Sequence, residues 1–485
     1  MKTRYKQYIL ENIDKKSVQE LSLELNLKEK VIKKFLKKQK VKNKQLDFEK
    51  PEGRIKTKPQ KFLQIILFIF LLLAVFSIGI TLRLSNLDNV IARSPDEGVY
   101  TYQASVIAEK GTPGIRSLLR EYNLDRTWWD YPHPLRVGYL WPLAAVMKIT
   151  NNKDIQIGSY ISCFFSIATL LLIIVVGLRF FNLWITLYAL LFLSVSPMAL
   201  AIARRTWQDA MIGFIGFLLV YLSCEITRDS RKIIWYIIFI LAGSYYILVK
   251  TTCALIYFLC IAWILCVLFI KEKAYLKGLI CIASIAIGSG ITIIYLAYLA
   301  GGIPAIVEPI RNMLEAAKTS TYRIEYCTGK WYEFFELLWI TAPLNTMLCF
   351  IGIGMTFLTA KSYKEIPACA SCKNRGAVLG IVLFMIIFMT IILATQILSL
   401  NLRYISVLYA PFYLAGGLGF CHMLSFLKAK LKNSYFSNLI VVIAVAMIIV
   451  AIKDYQNFQK IIVRSGIKDL SIGLIRQSVS AKTVR

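Results

Sequence analysis

Long apolar runs recur along this chain, and runs of that length leave few folds open. A helix rising 1.5 Å per residue needs about 20 apolar residues to cross the roughly 30 Å hydrocarbon core of a bilayer. Such runs fall at about 62–83, 157–178, 183–200, 209–226, 233–249, 252–270, 275–300, 336–359, 376–398, 404–421 and 438–453, which predicts eleven crossings. With 57% hydrophobic and 18% charged residues among 485, polar surface is too scarce for a water-soluble domain. The expected class is an all-α polytopic membrane protein. About sixty polar residues precede the first run, which argues against a secretory signal. Eight of the eleven Cys (163, 224, 253, 260, 266, 281, 349 and 421) lie inside apolar runs, which excludes a disulfide scaffold.

One more segment, 134–150, is apolar but short and carries Pro142. Charge decides whether it crosses. If it does not, Arg228/Arg231/Lys232, Lys271/Lys273/Lys277, Lys361/Lys364/Lys373/Arg375 and Lys428/Lys430/Lys432 all share the side of the Lys-rich N-terminus, as cytoplasmic loops do. The expected topology therefore has a cytoplasmic N-terminus and two long external loops, 84–156 and 301–335. Short external connections follow near 201–208, 250–252 and 399–404, and 454–485 forms a short external tail.

Net charge is +29, and residues 1–61 alone hold 19 Lys/Arg against 8 Asp/Glu. Ser17-Val18-Gln19-Glu20 is a capping-box pattern, and the apolar positions from Val18 to Phe35 support two short helices over 1–38. This head resembles a helix-turn-helix. A basic helical pair lying on anionic lipid or a partner protein accounts for it better than a nucleic-acid reader does. Residues 39–61 read as a charged linker. Cys369-Ala370-Ser371-Cys372 is half a zinc site at most, and a reduced thiol pair is the simpler reading.

Chemistry has room on the outer face. Ser94-Pro95-Asp96-Glu97 fits a helix start, with Ser at the cap, Pro at the first position and Glu closing a capping box. On that ground the acids are structural. Because adjacent helical residues point about 100° apart, at most one of the two carboxylates would face a given substrate atom. Farther on, Asp125 to Arg136 is dense in aromatics and charge, and its Trp and Tyr also suit an interfacial belt. With two His in the chain, His133 cannot belong to a multi-His metal site. Arg204, Arg205 and Asp209, then Lys250, then Arg403-Tyr404 sit at outer span ends. Taken singly they are snorkelling or helix-end charges; placed on the side of Asp96, they point to function.

The order of these elements resembles the GT-C glycosyltransferases, specifically the protein O-mannosyltransferase and aminoarabinose-transferase-like families. The likeness rests on an acidic pair soon after the first span, His133-Pro134-Leu135, Arg204 to Asp209 after Ser196-Pro197, and Arg403-Tyr404 before Pro411, spread over about 62–425. It departs where His133 replaces the second of two Pro and in lacking a large soluble C-terminal domain. Trp128-Trp129-Asp130-Tyr131 is similar to an oligosaccharyltransferase signature, but that motif belongs to a C-terminal domain and continues with Gly, so the match is read as chance.

The resemblance implies a GT-C fold and inverting transfer of a sugar from a polyprenyl-phosphate donor to a hydroxyl of a glycan, lipid or protein acceptor on the outer face. It points to Asp96 as the base, with Glu97 beside it. Arg204, Arg205, Lys250, Arg403 and Tyr404 are then expected at the donor phosphate, and Trp129, Asp130, Tyr131, His133, Arg136 and Asp209 at the substrates. Cationic side chains can serve a monophosphate leaving group without a metal; Glu97 or Asp130 would be ligands if one were used. A bacterial plasma membrane fits, since no retention signal is visible. The competing reading is a transporter or flippase of a lipid-linked or polar solute, which predicts repeated halves and spans broken at the midplane; no clear internal repeat is present.

Overall fold

The computed structural model describes residues 58–480 except 88–91, 331, 362–374, 396–399 and 432, together with positions 20, 24, 25, 27 and 31. The expected head, most of the linker and the Cys369/Cys372 pair lie outside the described residues. The chain groups into two units, Met1–Leu67 and Phe68–Arg485; the second carries the site.

Described elements are helical almost throughout. They are α1 (Lys58–Leu84), α2 (Pro95–Lys110), α3 (Thr112–Leu124), α4 (Val137–Thr150), α5 (Gln156–Phe180), α6 (Leu183–Val195), α7 (Pro197–Ala203), α8 (Asp209–Arg228), α9 (Ile233–Val249) and α10 (Ala254–Cys266). There follow α11 (Tyr275–Ala300), α12 (Pro304–Thr319), α13 (Thr321–Tyr326), α14 (Glu333–Thr341), α15 (Pro343–Lys361), α16 (Arg375–Thr395), α17 (Tyr409–Lys430), α18 (Asn433–Asn457) and α19 (Ile472–Ser480). Seven described helices are long and apolar enough to span a bilayer, and the bent pair α6–α7 makes an eighth. Four shorter apolar helices, at Val137–Thr150, Ile233–Val249, Pro343–Leu358 and Gly376–Ile391, accompany them. The molecule is a multi-pass membrane protein.

Helix α4 is the segment of unsettled status. Arg136 before it donates to the Tyr100 hydroxyl, and Gly138 lies against the backbone of Val249. Past it, the Ile155 carbonyl accepts from Thr206 Oγ1, and Ser162 Oγ donates to the Trp207 carbonyl at 2.7 Å. Both flanks of α4 are thus tied to the same end of the bundle, and its 14 residues reach only about 21 Å.

The break between α6 and α7 aims the Arg204–Asp209 turn. Pro197 has no N–H to give the Leu193 carbonyl, and the axis bends by 59°. Freed carbonyls inside a membrane protein need donors. Arg83, fully buried at the end of α1, donates to the carbonyls of Leu193 and Ser194, both at 3.1 Å, and to Ser166 Oγ at 2.7 Å. Gly79 permits this approach, since a Cβ there would meet Ser194 Oγ at 2.6 Å. A second close crossing brings α15 against α17: a Cβ at Gly352 would run into the Ala415 carbonyl, and one at Gly419 into the Leu348 carbonyl.

At the end of the bundle away from Asp96, Arg179 and Arg228 hold the fully buried Glu225 at 2.6 Å each. Lys428 and Lys430, in the last turn of the 22-residue α17, belong to that far end as well.

Candidate active site

Helix α2 begins at the near end. Its first turn divides the acidic pair. The expected capping box is present, with the Glu97 side chain accepting from Ser94 N at 2.9 Å, and Ser94 Oγ also accepts from Trp207 Nε1 at 3.0 Å. Glu97 is fully buried and also accepts from Arg93 (2.8 Å), Arg205 (2.9 Å) and Thr206 N (2.9 Å). Asp96 points elsewhere, 26% exposed, with Arg403 Nη1 and Nη2 both on Oδ2 at 3.2 and 3.1 Å.

Asp96 opens onto a cavity of about 1040 Å³, at the upper end of ordinary ligand sites (roughly 300–1,000 Å³) and roomy enough for two substrates. The expected Asp130, Tyr131, Arg136, Asp209, Lys250, Arg403 and Tyr404 all line it. Arg403 lies flat over Trp207, 4.6 Å from the ring centroid, and its Nε is 3.1 Å from Asp469. Lys250 Nζ sits 4.4 Å from the Tyr404 ring centroid, and Arg136 stacks over Tyr100 at 5.8 Å. Neither Lys250 nor Arg136 forms an ion pair with a carboxylate among the described residues. Burial holds the Lys250 ammonium below its usual lysine value, so an arriving anion would be strongly favoured there. Asp209, 4% exposed at the start of α8, makes no hydrogen bond or ion pair to another described residue and lies in the field of Arg403, Lys250 and Arg136. Gln208, with its amide turned to satisfy both ends, donates to the Val249 carbonyl and accepts from Arg136 and Tyr100.

Five expected site residues stand back from this cavity. Glu97 is consumed by the four contacts above. Arg204 turns to the end of α1, donating to the carbonyls of Ser85 and Asn86 at 2.6 Å each. Arg205 holds Glu97 and the Ile467 carbonyl (2.7 Å). Both guanidiniums are spent on free backbone carbonyls and a buried carboxylate, which local sequence does not display. Trp129 donates to the Tyr122 carbonyl at 2.9 Å under the Arg126 guanidinium. His133 is 1% exposed, and burial with the nearby charges of Arg136 and Lys250 pushes its pKa down to about 3, leaving a neutral ring.

The lining also contains residues that sequence reasoning passed over. Tyr322 and Arg323 arrive on α13, and Arg464, Lys468 and Asp469 on the segment between α18 and α19. The apolar α18 runs on through a π-helical turn to Arg464, and a turn at Gly466 (φ 65°) sends the chain back over the cavity. Ser471 bridges to Asn401, Leu402 N donates to the Leu470 carbonyl, and Ile472 N to the Leu400 carbonyl. A signal was present: Ile472, Ile475 and Val479 recur at helical spacing, and the first two are buried to 1% or less. No group of three or more His, Cys, Asp or Glu placed to hold a metal ion occurs among the described residues.

No family model and no curated protein matches the chain. Among solved structures it is similar to the archaeal oligosaccharyltransferase AglB from Archaeoglobus fulgidus, in complex with an inhibitory peptide and a dolichol-phosphate, at TM-score 0.49 and 12% identity. That likeness covers 81% of this chain and 56% of that one, so the chain spans little more than half of AglB. It is also similar to ArnT from Cupriavidus metallidurans in the apo state, at TM-score 0.48 and 11% identity, over 87% of this chain and 78% of that one.

Proposed function

We propose that this protein is a membrane glycosyltransferase that moves a sugar from a polyprenyl-phosphate donor to an acceptor hydroxyl, with inversion. One observation carries the reading: an accessible carboxylate, Asp96, shares a cavity at the bundle end with two cations, Lys250 and Arg136, that no described carboxylate neutralises. The chemistry asks for that pairing. Asp96 takes the acceptor proton as its oxygen attacks the anomeric carbon. The bond from that carbon to the phosphate oxygen breaks on the opposite face, and Lys250 and Arg136 meet the charge that develops on the departing polyprenyl phosphate. Asp209, buried with no hydrogen bond or ion pair to another described residue, is suited to accept from sugar hydroxyls, and Tyr404 and Tyr131 offer ring faces to the sugar. Glu97, Arg204 and Arg205 hold the backbone that presents Asp96. Lys and Arg clusters at the far end support an orientation in which the cavity faces the outer side of a plasma membrane. No step requires a metal.

The test is incubation of the purified protein with polyprenyl-phosphate sugars and assay of released polyprenyl phosphate. Asp96→Asn removes the base while keeping a polar side chain, so turnover should fall by about 10²- to 10⁴-fold with donor binding retained. Equal turnover in parent and variant rejects Asp96 as base. Movement of the lipid-linked sugar across vesicles without release of polyprenyl phosphate would identify a flippase instead.

A further inference from the structure

We infer that Asp469, carried by the segment between α18 and α19, is a positioning residue that fixes the orientation of Arg403 and through it the Asp96 carboxylate. The inference rests on the proposed transfer reaction, but its geometry stands apart from it. Asp469 is 7% exposed, and both of its oxygens are committed. Oδ1 accepts from Leu470 N at 2.8 Å and lies 3.1 Å from Arg403 Nε; Oδ2 accepts from Asn401 Nδ2 at 2.8 Å and the Tyr322 hydroxyl at 2.7 Å. With every contact made to protein, this carboxylate is not placed to take a substrate proton.

What it does is restrain a guanidinium on three sides. Trp207 covers one face of Arg403, Asp469 faces the Nε edge as an ion-pair partner at 3.1 Å without an aligned hydrogen bond, and the two terminal nitrogens are left to bind Asp96 Oδ2. Both bonds to Asp96 converge on one oxygen, so Oδ1 has no bond to another described residue. A guanidinium free to turn about its stem would grip both oxygens in a bidentate fork or swing to the unpaired Asp209. Asp469 prevents either. Three separate stretches of chain meet at this carboxylate: Tyr322 of the second long loop, Asn401 and Arg403 at the entry to α17, and the late segment itself. Misplacing a catalytic group by about 1 Å costs up to about 10²-fold in rate, which sets the scale expected.

Two readouts test this on the full chain. In the first, carbodiimide labelling of Asp96 is followed by peptide mass spectrometry, with exposed Asp130 as internal control. Asp469→Asn should change the Asp96 labelling rate by about fivefold or more, on the argument that a released guanidinium redistributes between Asp96 and Asp209, while Asp130 stays constant. An unchanged Asp96 rate overturns the inference whether or not the protein transfers sugar. In the second, Asp469→Asn should lower turnover about 10- to 100-fold with donor KM within about threefold, and the loss should largely vanish in an Arg403→Lys background, which has no Nε edge to hold. Full additivity of the two losses, or turnover equal to the parent, overturns it; a parent without transferase activity overturns the reaction and leaves the labelling result to judge the clamp. Tyr322→Phe, which removes one bond to Asp469 and leaves Arg403 untouched, should shift Asp96 labelling in the same direction by a smaller factor and serves if Asp469→Asn does not fold.

Discussion

Asp96 and Glu97 are neighbours in sequence and opposites in environment, and the difference decides what each can do. One turn of about 100° places Asp96 at the cavity and Glu97 among four donors with no exposed surface. Removing one partner from a buried, hydrogen-bonded charge pair costs about 3–5 kcal/mol, because the other charge is left uncompensated; here that charge is Arg205, 5% exposed. Glu97→Gln should therefore lower the thermal unfolding midpoint in detergent well below that of Asp96→Asn, while Asp96→Asn does the greater damage to turnover. A Glu97→Gln protein as heat-resistant as the parent would remove Glu97 from the framework. Sequence indicated the cap and indicated that only one acid could face a substrate, since both follow from local rules. It could not show that Arg204 and Arg205 are absorbed by carbonyls and a carboxylate about 110 residues away. A guanidinium at a span end reads the same whether its partner is phosphate or backbone.

Among the elements, apolar run length indicated most of the helices, but it gave 183–200 as one crossing and did not show the break at Ser196-Pro197. The partner that stabilises the break, Arg83, lies at the end of the first span, where sequence alone does not tie it to the carbonyls of Leu193 and Ser194. The short loop helices and the late segment were harder to read, because their residues gain meaning only when three distant stretches converge on Asp469. The α15–α17 crossing makes a direct test of packing. A Cβ at Gly419 would meet only backbone, the Leu348 carbonyl and Gly352 N, so Gly419→Ala forces the two helices apart, at the roughly 1–3 kcal/mol typical of overpacking. Because α17 follows directly on Arg403, turnover should fall with stability. Gly354→Ala on the same α15 meets nothing within 4 Å and is the control; its unfolding midpoint should equal the parent's. Equal midpoints for both variants would mean that the two helices do not meet this closely.

For the whole molecule, the side of the membrane that the cavity end faces is open to direct measurement. If the cavity end faces outward, a single Cys at exposed Glu325, in a background freed of reactive native Cys, should react in intact cells with an impermeant thiol reagent, and one at exposed Lys430 should react only after lysis. The reverse pattern would turn the site inward. Gln208 and Asn401 flank the same site but are 2% and 1% exposed, which makes them poor reporters.

The segment that folds back at Gly466 also sets a constraint on biosynthesis. Asp96 is made soon after the first span, but Asp469 follows the last apolar helix, nearly 400 residues later. A nascent chain on the ribosome, with most of its helices already inserted, still presents an unrestrained Arg403 and an open cavity. If Asp469 positions Arg403 as proposed, the growing protein should turn over its donor only slowly until α18 has been made and the chain has turned back, and a product halted before that point would be a largely idle partial bundle.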